Sequence, residues 1–224
     1  MFAQETKKVV DKKTNETFYV LKSDNKTKHG DYKKYNYGRK KVIISGNYKL
    51  GAKDGAWSYF NFVGDKLQYS GNYKQDVKDS VWSYFDRNGE LQSKYDYTKK
   101  ELVYYKPNEN DKDRKYRIIV DGNSLDTTLS RPPLYLEGMW LLLNEVNYPQ
   151  NALDNNISGM VKITFIVDKS GNVTSFHAKE PIGYGLEEEV IRVIKLMYWV
   201  PGLLNNEPVD VELTQPFDFR LNKN

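Results

Sequence analysis

Gly46-Asn47-Tyr48, followed by Trp57-Ser58-Tyr59-Phe60 and Gly64, returns as Gly71-Asn72-Tyr73, Trp82-Ser83-Tyr84-Phe85 and Gly89, each step being 25 residues. A worn copy stands upstream, where His29-Gly30, Tyr32 and Tyr35 lie 25 residues ahead of Asp54-Gly55, Trp57 and Phe60. A fixed period of this size marks a repeat architecture, whose units cannot bury an apolar face alone and therefore stack. The unit reads as strand, turn, strand. Ala56–Phe60 is a short aromatic run, Gly64-Asp65 and Asn88-Gly89 are turn signals, and Lys66–Tyr73 is the returning strand. Alternation along a strand puts Trp57 and Tyr59 on one face and Ser58 and Phe60 on the other. The expectation is an antiparallel sheet of stacked hairpins carrying the aromatic stripe Trp57, Tyr59, Trp82 and Tyr84. Aromatics recurring in this way read first as the shared core of the sheet and second as a stacking surface for a ligand.

The order Gly-x-Tyr, then Asp-Gly before an aromatic, resembles MORN-type repeats in their bacterial form over about residues 28–97. Weaker flanks lie at Thr17–Leu21 and Glu101–Tyr105. The period is a little longer than the common unit, and Ser80 stands where the last copy should have glycine. Sheets of this kind serve as lipid, protein or purely structural surfaces, so the resemblance implies an architecture rather than one ligand.

The 224 residues suffice for one large or two small domains. Hydrophobic residues are 39% and charged residues 29% of the chain, which predicts thin or small cores. The 18 tyrosines suit strands with one wet face. With no cysteine, disulfides, thiolate nucleophiles and cysteine metal sites are excluded. No run of roughly 18 apolar residues is present to span a membrane as a helix. Met1-Phe2-Ala3-Gln4 ahead of Glu5-Thr6-Lys7-Lys8 reads as the tail of a secretory signal, which would place the protein in the periplasm. Residues 1–120 carry 26 Lys+Arg against 16 Asp+Glu, and residues 121–224 carry 8 against 14. Such asymmetry indicates two modules with different surfaces. The basic half reads as a solvated lysine-rich sheet before it reads as a face for an acidic partner.

Lys106–Arg114 lacks any hydrophobic residue and ends the repeats. Lys115–Val120 is a candidate further strand with Asp121-Gly122-Asn123-Ser124 as its turn, and Arg131-Pro132-Pro133 is a stiff lead-in. The texture then changes. Gly138–Val146 reads as a helix stopped by Tyr148-Pro149, and Gln150–Asn155 as a second, short helix. Met160–Val167 is a strand, Asp168–Asn172 a hairpin loop and Val173–Ala178 the return. Leu186–Tyr198 is an amphipathic helix with Leu186, Val190, Val193, Ile194 and Met197 on one face. Val209–Leu213 is the last strand, extended by Phe217–Leu221.

This order of helix, strand, strand, helix, strand resembles the C-terminal domain of the TonB family over about residues 132–222. The landmarks are Tyr148-Pro149 with Ala152, Gly159, Val167-Asp168 with Gly171, Arg192-Val193, Trp199 with Pro201-Gly202, Pro208-Val209, and Pro216-Phe217 with Phe219. The resemblance implies recognition of a short extended peptide, the Ton box of an outer-membrane transporter, added as a strand to the edge of the sheet. Carried over, the receiving edge is Val209, Asp210, Val211, Glu212 and Leu213, flanked by Tyr148 and Pro149, with pairing stopped near Pro216. A full TonB energy transducer also has a membrane helix and a Pro-rich spacer. Without them here, the resemblance implies a periplasmic adaptor in which the repeat sheet replaces the spacer.

Nothing in the sequence asks for catalysis or a cofactor. His29 occupies the turn position of Asp54 and Asp79, and His177 lies on a strand with no nucleophile elbow nearby. Glu187-Glu188-Glu189 stands in the first turn of a helix, where carboxylates favour the dipole. No metal-ligand cluster is visible. The expected organisation is a lead over 1–16, a repeat domain over 17–105, a linker with a strand over 106–131, and an α+β domain over 132–224. The alternative is an envelope scaffold that binds a protein or surface through the aromatic sheet, with the second domain as a docking or dimerising module. Neither reading calls for nucleic acid, and both accommodate a homodimer.

Overall fold

The computed structural model describes residues 4–38, 40–137 and 145–221. The chain divides into two compact units, residues 1–106 and 107–224. The expected signal remnant at residues 1–3 and most of the expected helix at 138–146 lie outside the described residues.

The first unit is one antiparallel sheet. Its strands are β1 (Thr6–Asp11), β2 (Glu16–Leu21), β3 (Lys28–Tyr35), β4 (Val42–Lys49), β5 (Ala52–Lys53), β6 (Gly55–Phe60), β7 (Leu67–Lys74), β8 (Val77–Phe85), β9 (Leu91–Asp96) and β10 (Glu101–Tyr105). They follow one another in chain order, with β5 paired beside β4. The lead expected over residues 1–16 is corrected: β1 pairs along its whole length with β2, from Thr6–Leu21 to Asp11–Glu16. Lys7 and Lys8 gave that segment its loop-like composition, but an edge strand tolerates lysines on its wet side.

The repeat has a steric logic. A Cβ on Gly46 would sit 2.1 Å from the Trp57 indole, and one on Gly71 would sit 2.3 Å from the Trp82 indole. Each tryptophan therefore lies flat on the bare backbone of the strand before it. Its indole N–H donates to the next carbonyl along, Trp57 to Asn47 at 3.1 Å and Trp82 to Asn72 at 2.9 Å. The glycine and the tryptophan recur together because they form one lock, to which the residue after the glycine lends its backbone carbonyl. Around each lock the tyrosines stack: Tyr59 on Tyr69 with centroids 4.3 Å apart, and Tyr73 edge-on to Trp82 at 4.9 Å. At the turn where Gly55 has φ +83°, Ser80 takes φ +56°. Its hydroxyl donates to Asp79 and its N–H to Thr98, which offsets the strain a side chain meets in that region.

The second unit comprises β11 (Lys115–Val120), β12 (Asn123–Thr128), β13 (Leu134–Tyr135), α1 (Gln150–Asp154), β14 (Gly159–Val167), β15 (Val173–Ala178), α2 (Leu186–Leu196), β16 (Trp199–Val200), β17 (Gly202–Leu204) and β18 (Glu207–Phe219). Its main sheet runs β12-β11-β18-β14-β15, with β17 also paired to β18, and β13 pairs with β16. The core forms where α2 lays Leu186, Val190, Val193 and Ile194 against Val161, Ile163, Phe165 and Val167 of β14, with Ala152, Met197, Trp199 and Phe219 closing it. Gly171 has φ +82°, and a Cβ there would meet the Trp199 carbonyl at 2.4 Å, so the β14–β15 loop fits only a glycine.

One expectation is corrected here. Residues 115–128, expected as a linker with one strand, form the β11–β12 hairpin of the main sheet. Val209–Leu213 and Phe217–Phe219 belong to one strand, since β18 pairs with β14 in unbroken register from Val211–Val167 to Phe219–Gly159. Pro216 sits inside that strand opposite Lys162.

Candidate functional site

Strand addition requires a strand with an unpaired side. Val209–Leu213 does not offer one. Asp210, Val211 and Glu212 face Ile119, Ile118 and Arg117 of β11, Val211–Leu213 face Val167–Phe165 of β14, and Val209 faces Gly202 of β17. The expectation that this segment is the receiving edge is thus overturned by the β11–β12 hairpin. The reason is apolar: Ile118 and Val211 are fully buried, and with Tyr116 and Val209 they form a second small core under Leu129, Leu204 and Leu213. The polar alternates are engaged too. Arg117 pairs with Asp126 at 3.2 Å and Glu212 at 3.8 Å, which holds its guanidinium pKa above the ordinary value, Asp126 contributing most. Asp210 accepts the Lys169 N–H at 2.9 Å.

The uncovered side of β18 lies further along. β11 pairs only with Asp210–Glu212, because the chain ahead of Lys115 leaves the sheet through a 3-10 turn at Glu109–Asp111. Among the described residues, Thr214–Phe219 has no strand partner on that side. The hairpin fixes which backbone groups point there. Asp121 and Gly122 both have positive φ, 49° and 78°, and join Val120 to its partner Asn123, so Val120–Asn123 is the hydrogen-bonded closing pair. Counting by alternation, Arg117 turns its backbone groups to Glu212, and Glu212, Thr214, Pro216 and Asp218 turn theirs toward the β11 side. Pro216 is tolerated within β18 because its missing N–H falls on the open side, not in the β14 ladder. Its carbonyl already accepts the Gln215 side-chain amide at 2.9 Å. Of the outward groups on this stretch, Thr214 and Asp218 therefore supply the N–H donors.

Tyr148 and Pro149, expected as a flank of Val209–Leu213, lie instead beside the far end of β18. The Tyr148 ring stands edge-on to Phe219 with centroids 5.3 Å apart, and its hydroxyl donates to the Ile157 carbonyl. Pro149 caps α1 and lies against Gly185. Tyr148 and Pro149 thus lie near the end of β18, about 26 Å along the strand from Val211 at ~3.3 Å per residue. Next to them, Glu187 accepts the Ile182 and Gly183 N–H groups at 2.6 and 3.0 Å. Glu189 accepts the Asn147 N–H at 2.6 Å and pairs with Arg192 at 2.8 Å. Arg192, and then the Asn147 N–H, hold the Glu189 carboxyl below the usual range although burial opposes them. These acids anchor loops to α2.

In the first unit, Trp57, Tyr59, Trp82 and Tyr84 do line one face, and all four are buried. Lysines that the sequence reading passed over cover them. Lys53 Nζ lies 4.8 Å from the Trp57 ring and 4.9 Å from Tyr73, and Lys78 Nζ lies 4.8 Å from Trp82 and 4.9 Å from Tyr97. Lys28 Nζ sits likewise 5.0 Å from both Tyr32 and Tyr48. The signal was available: residues 28, 53 and 78 are 25 apart. Burial, and then Tyr73, push the Tyr59 phenol far above its ordinary pKa. The ring faces of this stripe are spent on neighbours and lysines.

Among the described residues, no group of three or more His, Cys, Asp or Glu is placed to hold a metal ion. His29 accepts the Leu50 N–H at 3.3 Å through Nδ1, and His177 is exposed on β15. No described helix is long and apolar enough to cross a membrane.

Comparison with known proteins bears on the second unit. The family described as Gram-negative bacterial TonB protein C-terminal matches residues 144–221. That is a non-enzymatic family. No curated protein matches the chain. Two solved structures are similar at a low level. One is an S. aureus TarM mutant in complex with Fondaparinux, alpha-GlcNAc-glycerol and UDP, at 13% identity and a TM-score of 0.26. The other is TarM, at 12% identity and a TM-score of 0.27. Each comparison covers 45% of this chain and 21% of the other, so the chain spans about a fifth of their length. Likeness this slight carries no conclusion about either unit.

Proposed function

We propose that the chain is a non-enzymatic adaptor of the bacterial cell envelope whose second unit captures an extended segment of an outer-membrane transporter by strand addition. The family match over 144–221 supports the class of partner. The observation that carries the mode is the uncovered side of β18 over Thr214–Phe219, where Thr214 and Asp218 turn backbone donors outward. A peptide strand laid there continues the line of β11, gains main-chain hydrogen bonds at Thr214 and Asp218, and passes the Tyr148–Phe219 pair at its far end. Pro216 leaves a gap in the ladder, so affinity rests on few bonds and on side-chain contacts around Tyr148. The repeat sheet is the spacer or scaffold that carries this domain in the periplasm.

Calorimetric titration of the whole chain with Ton-box peptides is the test. Saturable binding that weakens at least tenfold in D218P, with an unchanged circular dichroism spectrum, is the expected result. Binding that D218P leaves intact would move the site off this edge, and no binding to any such peptide would remove the transporter role.

A further inference from the structure

We infer that β12 is a self-pairing edge, and that two copies of the chain join their main sheets antiparallel across a two-fold axis at Leu125. The inference begins with the ends of the two large sheets. A terminal strand with a free, regular backbone edge recruits other strands unless something blocks it. Three of the four terminal strands here carry a block. β1 presents Lys7 and Lys8. β10 is bulged, its register with β9 slipping between Leu102 and Tyr104. β15 is bulged as well, with Ser175 at φ +55° and a slip opposite Thr164–Ile166.

β12 carries none. Asn123–Thr128 pairs with β11 in unbroken register, from Val120–Asn123 to Lys115–Thr128. It has no proline and no lysine, and its one charge, Asp126, is held by Arg117 at 3.2 Å. It also leaves an apolar residue uncovered. Leu125 stands opposite the fully buried Ile118, on the face of the small second core, yet is 58% exposed. Among the described residues, no strand lies on the outer side of that core.

The strand is self-complementary in the register centred on Leu125. The closing pair Val120–Asn123 turns the backbone groups of Asn123, Leu125 and Thr127 toward β11, so Ser124, Asp126 and Thr128 offer theirs outward. A two-fold axis perpendicular to the sheet keeps both cores on the same face and pairs only residues of like orientation. Centred on Leu125, it sets Ser124 against Asp126 of the second copy as a hydrogen-bonded pair, twice by symmetry. Leu125 meets Leu125 of the second copy as the close, non-hydrogen-bonded pair. No like charges oppose each other. Centred on Asp126 instead, the two carboxylates would face each other, which disfavours that register. The contact is isologous and closes at two copies. An unrelated strand at the same edge would lack this match.

The chain has no cysteine, so a single introduced one reports unambiguously. Opposed residues in such a pair have Cβ atoms about 4.5–5.5 Å apart, close to disulfide geometry after small adjustment. Under mild oxidation the full-length L125C variant should cross-link to a covalent dimer at least tenfold faster than V10C, a similarly exposed position on β1. In parallel, sedimentation of the unmodified chain should show a mass that rises with concentration toward two copies, and L125K should stay a single copy. Cross-linking of L125C no faster than V10C, a chain that remains single throughout, or dimers that persist in L125K would each overturn the inference. None of these readouts involves a transporter peptide, so they fail or succeed independently of the function proposed above.

Discussion

The two units solve the same problem with opposite means. Each must bury the apolar side of an antiparallel sheet. The second unit does so conventionally, with α2 and its flanks packed over β14 and β18, so its main core joins residues as distant as Ala152 and Phe219. The first unit has no described helix. It buries Trp57 and Trp82 by sinking each indole onto a glycine of the neighbouring strand and roofing it with tyrosines and a lysine. A sheet can supply its own second layer when its side chains are large enough to lie down and its backbone is bare where they land. Such a core consists of near-identical local locks, whereas the helix-covered core is one shared object.

Mutations at the two kinds of core test this distinction. The largest effect is expected for Trp82→Ala, which empties a fully buried ring site and should cost roughly 3–5 kcal/mol. Because Tyr59, Tyr69, Tyr73 and Tyr97 all touch that ring, hydrogen exchange should loosen β7–β9 while β1–β3 stay protected. Loss of protection across the whole sheet would show that the locks are not independent. Ile118→Ala should cost slightly less, about 2–4 kcal/mol, at the low end of buried large-to-small changes because the second core is small. Its effect should spread through β11, β12 and β18 together. Denaturant unfolding followed by exchange would read both, and a loss confined to the hairpin would mean that β11 only decorates the sheet. The smallest effect concerns Glu189. Its folded pKa lies below the reference value of 4.5, so its ion pair with Arg192 contributes fully above that pH and is lost as pH falls through the lower folded value. Glu189→Gln should cost about 1 kcal/mol at neutral pH and nothing at pH values below the folded pKa. Thermal unfolding across this window would check it, and an equal cost at both ends would show that packing, not charge, is what the side chain supplies.

The same contrast explains what could be read from the sequence. Repeats announce themselves because a lock needs its glycine and its tryptophan at fixed separation, so Gly46, Trp57, Gly71 and Trp82 were visible as a pattern. In the second unit the elements from α1 to α2 were legible from periodicity and turn residues, and Gly171 from its hairpin. The β11–β12 hairpin was only half visible. Lys115-Tyr116-Arg117-Ile118-Ile119-Val120 alternates well enough to suggest a strand, but Asn123–Thr128 is polar enough to pass for loop, being an edge strand with little to bury. Nothing local says which neighbour a strand will take. The covering of Val209–Leu213 by a second neighbour was therefore not legible, since it depends on residues nearly a hundred positions earlier. Pro216 carried a usable signal that was read the wrong way: a proline inside a long strand marks the side where no partner lies.

The lock between Gly71 and Trp82 crosses from the last strand of one repeat to the first strand of the next. A duplicated block of 25 residues would arrive carrying a vacant seat for the block after it and an indole for the seat before it. Copies can be gained or lost whole, each changing the reach of the sheet by about 10 Å, two strand spacings, while any other increment strands an indole without a seat. The reach of this half of the molecule is in that sense a quantity that heredity can count.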